Sequence, residues 1–578
     1  MWQAFSAAAQ QAISDSQNER GKVLWLLADV CSMRLSPKRQ NEPFKPIFEA
    51  EGRRSTISED FLEGDIQFFS DILMSIDEPW LKARIADVLW LLKKPKETQF
   101  ALAAIDAYRS IGLDTQTWIR GGRECWERAV GLTCLLRSGA ESRLDEIESS
   151  LMVAIDGATN SDGYLAYWLA DLLGSNGLAR DKRTHVAQIL ERLAREFEDI
   201  GDLHRTRDYF AGAAKWFART GDELKAAEMT AAQAEAWVKE AIARASSEQP
   251  SHMVASAFYE NAIQIYRSIP KKYRASYLVD ERLAELHRHL SDSGEKSLNE
   301  MGQVSTPGID ISELVENAQN AVRNKSVTDA LKAFANIQHG ANAKQLREQT
   351  IRQLREHPLS ALFPATMMSR EGRVIAKRPG MSFGSSPSDG DEITIRDEMI
   401  RNYGIFVSIA VQGGIWPALE IMLLEHRLRE DDFVSLASQS PIIPKGRERL
   451  FGKALFAGYE RDFVTALHIL VPQIENMVRV HLKQAGEKTT TLSTAGIETE
   501  NGLSTLMDLP KVEQVLGEDM AFEIRALFCD AFGPNFRNEI AHGLIDENAC
   551  QSVFAVYAWW FTLRLVFNTW WNRARQNN

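Results

Sequence analysis

Apolar residues recur at intervals of three and four along most of the chain, which is the period of an amphipathic helix. In 181–199, for example, Ile189, Leu193 and Phe197 fall on one stripe, and charged residues occupy most other positions. Long alternations of apolar and polar residues, which indicate half-buried strands, are nearly absent. The pattern predicts a mostly α protein in which a turn and short strand at 370–375 form the only β structure.

A short pattern occurs three times in the first half of the chain. It reads AIDAYRSIG at 104–112, AAKWFARTG at 213–221 and AIQIYRSIP at 262–270. Each copy has a small residue, an aromatic residue four positions later on the same helical face, and a Gly or Pro that ends the helix. This resembles the second helix of a tetratricopeptide repeat (TPR). The irregular spacing predicts a degenerate helical-repeat, TPR-like region; the alternative is an ordinary multi-helix domain with chance similarity.

Stretches rich in Gly, Ser and Pro mark boundaries between regions, the clearest at 291–308. They predict a solenoid-like region at 1–300, a helical linker region at 301–395 with a flexible loop near 379–392, and a C-terminal helical bundle at 396–578. Within the bundle, helices are predicted at 462–484, 510–516, 519–530, 534–542 and 547–573.

The closing helix, for which Asp546 is the expected N-cap, contains a nearly apolar stretch at 553–571. Its length would suit a bilayer. However, Arg564 lies in its middle, where a charge is costly in lipid, and Thr562 and Asn568 interrupt it. We expect a buried core helix and no stable membrane insertion, with membrane contact as the alternative.

Charge and cysteine content narrow the class of protein. The net charge of −12 argues against a generally basic protein that binds nucleic acid nonspecifically. The five cysteines are scattered and never spaced C-x-x-C, which favours reduced thiols in a cytoplasmic protein over a disulfide scaffold or a zinc site. No phosphate-binding loop motif and no signal-peptide pattern are visible. We therefore expect no cofactor and no metal.

The densest group of reactive side chains is the segment RNEIAHG at 537–543, called here the RNEIAHG segment. The Gly-Pro-Asn at 533–535 predicts a turn and a helix start just before it. Asn538 and His542, four residues apart, then share one helical face. Arg537 lies about 100° around the helix, and its length predicts that it reaches the same pocket.

These three residue types fit RNA cleavage without a metal. A histidine near neutrality takes or gives a proton. An arginine holds phosphate oxygens and stabilises the charge of the transition state. We expect His542 as general acid and base, Arg537 on the phosphate and Asn538 as the positioning group. The ribose 2'-hydroxyl would attack the phosphate and leave a 2',3'-cyclic phosphate, which DNA cannot do. The alternatives are a capped helix start with a satisfied histidine and a noncatalytic nucleotide-binding or dimer role.

These residues also carry a family resemblance. Arg537-Asn538-x-x-x-His542 resembles the R-x(4–6)-H signature of the HEPN superfamily (higher eukaryotes and prokaryotes nucleotide-binding). An earlier helix carries Glu475 and Arg479, which is similar to the E-x-x-x-K/R of such domains and places both on one face. Together these stretches resemble a bacterial HEPN-like family of unknown function with a C-terminal RNxxAHG motif. The resemblance covers roughly 396–578.

Many HEPN domains are metal-independent endoribonucleases of toxin and antiviral systems, and others are noncatalytic scaffolds or nucleotide-binding modules. The resemblance implies a homodimer through the C-terminal domain, in which two motifs form one site. The tryptophans at 559, 560, 570 and 571 are candidates for its interface. Glu475 is expected to orient Arg537 or His542; the alternative is a simple ion pair with Arg479.

The acidic balance restricts the substrate. Residues 451–578 carry 11 Lys and Arg against 15 Asp and Glu. An RNA surface must then be local, or the substrate a restricted one such as a tRNA loop. Because helical repeats present surfaces for protein or peptide ligands, we expect 1–300 to bind an unknown protein or ligand and to restrain the nuclease, in antiviral defence or stress.

Overall fold

The computed structural model describes residues 1–50, 53–302, 308–382 and 387–576, and the side chain of Ala50 is not described. The chain divides into two compact units, unit 1 at Met1–Glu300 and unit 2 at Met301–Asn578. The prediction of a mostly α protein is confirmed. The flexible loop expected near 379–392 lies partly outside the described residues, and a helix begins within that range at Asp389.

Unit 1 consists of helices joined by short connections. The helices are Trp2–Ser14 (α1), Asn18–Ser32 (α2), Glu63–Ile72 (α3), Pro79–Leu92 (α4), Thr98–Arg109 (α5), Thr115–Thr117 (α6), Arg123–Leu136 (α7), Arg143–Asp156 (α8), Leu165–Ser175 (α9), Arg183–Asp199 (α10), Leu203–Thr220 (α11), Glu223–Ala245 (α12), His252–Ser268 (α13), Lys271–Arg274 (α14) and Val279–Ser297 (α15).

Helices α10 to α13 pack each against the next, and α13 packs against α15, as in a helical-repeat array. The repeated sequence pattern lies at these contacts. Ala213 and Phe217 of α11, and Ala262 and Tyr266 of α13, are all buried. Gly221 ends α11 with a φ of +85°, which a glycine adopts without the steric cost of a Cβ. The small and aromatic residues therefore do what the sequence pattern predicted.

The strands of the described residues form four antiparallel hairpins of two strands each. They pair Arg34–Leu35 (β1) with Phe44–Lys45 (β2), Glu49–Ala50 (β3) with Arg53–Arg54 (β4), Ala365–Met368 (β5) with Val374–Arg378 (β6), and Thr490–Leu492 (β7) with Glu498–Glu500 (β8). The expectation that 370–375 holds the only β structure was wrong. Strands of two to five residues are too short to show an alternating pattern in the sequence.

Unit 2 holds the remaining helices around one core. They are Ser312–Val322 (α16), Val327–Ala335 (α17), Ala343–Glu356 (α18), Leu359–Leu362 (α19), Asp389–Ala410 (α20), Trp416–Glu425 (α21), Glu430–Gln439 (α22), Glu448–Tyr459 (α23), Phe463–Gln484 (α24), Leu503–Met507 (α25), Val512–Leu516 (α26), Glu518–Ile524 (α27), Phe536–Ala541 (α28), Glu547–Cys550 (α29) and Val553–Gln576 (α30).

Helix α30 is at the centre of this core. Trp559 and Trp560 are completely buried, and their indole nitrogens donate to the backbone oxygens of Leu455, at 3.0 Å, and Phe334, at 2.9 Å. These two tryptophans are therefore core residues and not the surface residues that a dimer interface requires. Because Phe334 belongs to α17, the segment 301–395 shares the core of unit 2.

The closing helix begins later than the sequence predicted. Asp546 caps the short helix α29 by accepting from the backbone N–H of Ala549 at 2.7 Å. Helix α30 starts separately at Val553, after a break at 551–552. The break falls at the polar residues Gln551 and Ser552, just before the apolar stretch begins.

One helical run among the described residues, Asp389–Glu425, is long and apolar enough to cross a membrane. It comprises α20, α21 and the π-helical turn Val411–Ile415 between them. Within its most apolar window, 61% is buried inside the protein, as is common for a core helix. The stretch 553–571, which the sequence singled out, lies in α30 and is mostly buried. Both observations are consistent with a soluble protein.

Unit 1 contains a fully buried ion pair that links α4 to α7. The guanidinium of Arg128 donates to both carboxylate oxygens of Asp87 at 2.8 and 2.9 Å, and neither side chain is exposed. Tyr108 adds a hydrogen bond to the same carboxylate at 3.1 Å. A buried charge that loses its partner costs about 3–5 kcal/mol.

We therefore expect Arg128→Met to destabilise unit 1 by about 3–5 kcal/mol. Amide hydrogen exchange in α4 and α7 should become much faster, because local opening needs less free energy. The matched control is Lys22→Met, which removes an exposed pair with Glu19 and should cost under about 1 kcal/mol. Equal exchange in both variants would contradict the prediction.

Candidate active site

The RNEIAHG segment forms the short helix α28 and its C-terminal cap. After the helix, Gly543 adopts a φ of +65°. The N–H of Leu544 donates to the carbonyl of Glu539 at 2.8 Å, and that of Gly543 to the carbonyl of Ile540 at 3.1 Å. This pair of bonds is a Schellman motif, which stops a helix at a left-handed glycine. The glycine thus fixes where His542 stands, at the last position before the turn.

His542 is exposed at the edge of an open cavity of about 930 Å³, called here the His542 cavity. Asn538 lines the same cavity, one helical turn earlier, as the spacing of four predicted. Two arginines that the sequence analysis did not single out, Arg370 and Arg373, also line it. They come from the turn between β5 and β6, and Arg370 pairs with the cap residue Asp546 of α29.

Arg537 lies on a different face of α28. Its Nε donates to Oε2 of Glu475 on α24 at 3.0 Å. A Cβ on Gly502 would lie 2.8 Å from one of its terminal nitrogens, so the guanidinium passes closely over that glycine. About a third of the side chain remains exposed. Among the described residues, no hydrogen bond to its two terminal amino groups is present, and these groups remain free to hold an oxyanion.

Glu475 is the centre of a small ionic network. Its other oxygen, Oε1, accepts from Arg479 at 2.7 Å, and Arg479 also donates to the backbone oxygen of Asn501 at 2.6 Å. Glu500 pairs with Arg479 from the strand β8 at 3.0 Å. Burial alone would raise the pKa of the Glu475 carboxyl, but the hydrogen bonds from Arg479 and Arg537 outweigh it and lower the pKa. Glu475 therefore orients Arg537 as an ionised carboxylate.

The structure therefore places the three expected site residues in two different locations. Asn538 and His542 share the cavity, whereas Arg537 is not among the described residues that line it. The expectation that Arg537 reaches the same pocket within one chain was wrong, because Glu475 holds its Nε from the opposite side. The sequence did place Glu475 and Arg479 together, but it could not show which way the longer side chain would turn.

A cysteine close to this network is unsuited to nucleophilic attack. Burial raises the pKa of the Cys529 thiol to about 12, although a hydrogen bond with Ser504 and the charge of Arg537 oppose the shift. Since the thiolate is the reactive form, Cys529 stays protonated at neutral pH. The described residues also contain no cluster of three or more His, Cys, Asp or Glu side chains that could hold a metal ion.

The sequence gave little indication that the arginines of the β5–β6 turn would lie at the candidate site. The stretch REGR at 370–373 was interpreted only as a turn, since a basic turn is usually solvated surface. Its position beside α28 depends on how the hairpin packs, 165 or more residues away in sequence from His542. No local pattern reports such a contact.

Comparison with known proteins gives one family match. Residues 1–145 match the family model of a domain of unknown function, DUF7380. No protein of curated function matches the chain. A solved structure, a circular tandem repeat protein with novel repeat topology and enhanced subunit contact surfaces, is 14% identical over 100% of this chain and 98% of that chain, with a TM-score of 0.12. So low a TM-score carries no argument.

The ionic network makes a prediction about stability and pH. Glu475→Gln should destabilise unit 2 by about 1.5–3 kcal/mol, because two arginines lose charge-assisted hydrogen bonds to their common half-buried anion. Since the folded pKa of Glu475 is lowered, its contribution is present above the ordinary value of 4.5 and is lost as the pH falls through the folded value. The difference in unfolding free energy between the variant and the wild type should therefore become smaller below about pH 4.5. It can be followed by hydrogen exchange in α24 and α28 under urea.

Glu500→Gln is the matched control, because Glu500 is 59% exposed and pairs with Arg479 alone. It should cost under about 1 kcal/mol. A difference for Glu475→Gln that stays constant from pH 7 to pH 3 would show that the effect comes from packing and not from the charge.

Proposed function

We propose that unit 2 is a metal-independent endoribonuclease of HEPN type, which cleaves RNA by attack of the ribose 2'-hydroxyl. The observation that carries the proposal is the exposed His542 beside Asn538 in an open cavity whose rim holds two arginines. An exposed imidazole is within reach of a substrate and can exchange protons with it. In this proposal His542 is the general acid and base, and Asn538 positions the phosphate.

Two arginines bring cationic groups to the cavity, although Glu371 and Glu539 also line it and Arg373 pairs with Glu371. Arg370 and Arg373 are 69% and 55% exposed, so both guanidinium groups reach solvent at the cavity. Arginine donates in a planar fork that matches two phosphate oxygens. These two residues would hold the phosphates that flank the cleaved bond. A binding surface limited to one cavity favours a short RNA loop, such as a tRNA loop, over a long duplex.

Arg537 enters the proposal through a second copy of the chain. The resemblance implies a homodimer in which two motifs form one site, so Arg537 of one subunit need not share a cavity with its own His542. The bond to Glu475 fixes the Nε and leaves the terminal amino groups directed elsewhere. Such a fixed guanidinium can stabilise a transition state without being reorganised.

Unit 1 is the proposed sensor. Its helices α10 to α13 stack in sequence order, and arrays of this kind present extended surfaces to partners. In the proposal, unit 1 binds a protein or small ligand and restrains the nuclease of unit 2. A cytoplasmic role in antiviral defence or stress follows from the resemblance alone.

The alternative function is a noncatalytic dimeric HEPN scaffold or nucleotide-binding module. The observation that favours it is the involvement of Arg537 in the ionic network of Glu475 and Arg479, which is also a way to stabilise a helix contact. In that case RNEIAHG only ends a helix. Measurements of RNA cleavage distinguish the two functions.

In excess EDTA, the purified full-length protein should cleave total cellular RNA into fragments with 2',3'-cyclic phosphate ends. His542→Ala should lower the rate by about 10²–10⁴-fold, the usual contribution of a general acid and base. His468→Ala is the matched control, because His468 is an exposed histidine of unit 2 whose Nδ1 contacts the backbone oxygen of Val464. Equal cleavage by wild type and His542→Ala would overturn the assignment of His542.

A mixing experiment tests the shared site. His542→Ala and Arg537→Ala should each be inactive alone. When the two variants are co-expressed, the shared site of a mixed dimer keeps one Arg537 and one His542, from opposite subunits, so a measurable fraction of wild-type cleavage should return. If mixed dimers of verified composition recover no RNA cleavage, each chain uses its own Arg537 and His542.

A further inference from the structure

The His542 cavity contains, besides its arginines, a carboxylate that cannot help to bind phosphate. Glu539 lies on α28 between Asn538 and His542 in sequence and lines the same cavity. Its side chain is half-buried, and among the described residues its carboxylate has neither a hydrogen bond nor an ion pair. An ionised carboxylate only accepts hydrogen bonds, and it repels a phosphate. Glu539 therefore suits a part of the ligand that donates hydrogen bonds and carries no negative charge.

The other carboxylate of the cavity is already paired. Glu371, in the turn between β5 and β6, is 71% exposed and pairs with Arg373 of the same turn at 3.5 Å. Water and the arginine together satisfy its charge. Of the two glutamates among the described residues that line the cavity, Glu539 alone keeps both oxygens for a ligand.

Glu539 is placed to contact the nucleoside on which His542 would act. Residues three positions apart on a helix are neighbours, with Cβ atoms about 5–6 Å apart. One nucleoside can therefore place its ribose at His542 and its base at Glu539. The cavity also offers apolar surface for a flat base, from the partly exposed ring of Phe554 and from Ile375 and Leu544, which are 45% and 40% exposed. Bases that are splayed out of single-stranded RNA stack on such side chains.

Guanine is the base whose hydrogen-bonding edge matches a free carboxylate. Its N1–H and its 2-amino group donate side by side, as the two N–H groups of a guanidinium do when they bind both oxygens of a carboxylate. Adenine and cytosine each present one amino group next to an acceptor nitrogen, and uracil presents one N–H between two carbonyl groups. With these three bases, a carboxylate would meet at least one lone pair.

We propose that the His542 cavity selects guanosine, with the N1–H and 2-amino groups of the base bound to the two carboxylate oxygens of Glu539. This proposal rests on the proposed ribonuclease for the reaction and names its substrate. The 2'-oxygen of the bound guanosine forms a bond to the phosphorus of its own 3'-phosphate. The 5'-oxygen of the next nucleotide leaves and takes a proton. The cleaved fragment then ends in guanosine 2',3'-cyclic phosphate.

The first test measures binding and does not require cleavage. The four common nucleoside 3'-monophosphates are titrated into the full-length wild-type protein in a calorimeter, in excess EDTA. The guanosine nucleotide should bind at least about tenfold more tightly than the other three, because a bidentate pair discriminates strongly between bases. Inosine 3'-monophosphate lacks only the 2-amino group. It should lose most of this advantage, because one carboxylate oxygen is then left without a donor.

The second test changes the protein. Glu539→Gln replaces one acceptor oxygen by an amino group that donates, so the preference for guanosine over adenosine should disappear. Glu371→Gln is the matched control, because it removes the paired carboxylate of the same cavity and should leave the preference for guanosine intact. The comparison of guanosine with inosine uses the wild-type protein. It therefore decides even if Glu539→Gln does not fold.

Three results would overturn the proposal. The first is that the wild type binds all four nucleotides with equal affinity, or none of them at millimolar concentration. The second is that inosine binds as tightly as guanosine. The third is that folded Glu539→Gln keeps the preference for guanosine. Cleavage in EDTA at all four nucleotides would contradict guanosine selection and leave the ribonuclease standing. Selective binding of guanosine without any cleavage would support the base site and contradict the ribonuclease.

Discussion

The geometry of the candidate active site depends on one hydrogen-bonded ion pair, from Arg537 on α28 to Glu475 on α24. Helix α28 has six residues, which is too short to be stable by itself. Its orientation must therefore come from tertiary contacts. Phe536 is buried beneath it, and the 3.0 Å bond from Arg537 to Glu475 holds the adjacent position. With these two faces occupied, Asn538 and His542 can only face the cavity.

The same ion pair determines what electrostatics the site can offer. Glu475 neutralises part of the charge of Arg537 and fixes the direction of its Nε. One cationic group near α28 therefore serves partly to hold the helix in place. The other cationic groups at the His542 cavity are Arg370 and Arg373, on a hairpin far away in sequence, and they pair with Asp546 and Glu371. A site assembled from two such elements works only if the hairpin is held in place. The bond from Arg370 to Asp546 joins the hairpin to the cap of α29 and supplies that link.

Local features of the fold could be predicted from the sequence, and features set by distant contacts could not. The 3.6-residue period gave the helices, and the small-x-x-x-aromatic pattern marked the buried faces of α5, α11 and α13, because both depend on neighbours three or four positions apart. Gly543 gave the helix end for the same reason. The direction of Arg537 and the position of the β5–β6 turn beside His542 depend on packing between segments far apart in the chain. A single sequence carries no local sign of such contacts.

The His542 cavity and a separate cavity of about 810 Å³ that Glu523 lines are connected through one stretch of chain. Helix α27 carries Glu523, and the π-helical turn Arg525–Cys529 continues it without a loop. At its far end, Cys529 lies close enough to Arg537 and Glu475 for both charges to act on the pKa of its thiol. Interiors are packed as densely as organic crystals, so a helical segment within a core moves as one body. Glu523 and Cys529, which is beside the Arg537–Glu475 pair, therefore lie on one continuous helical segment that joins the two regions without a loop.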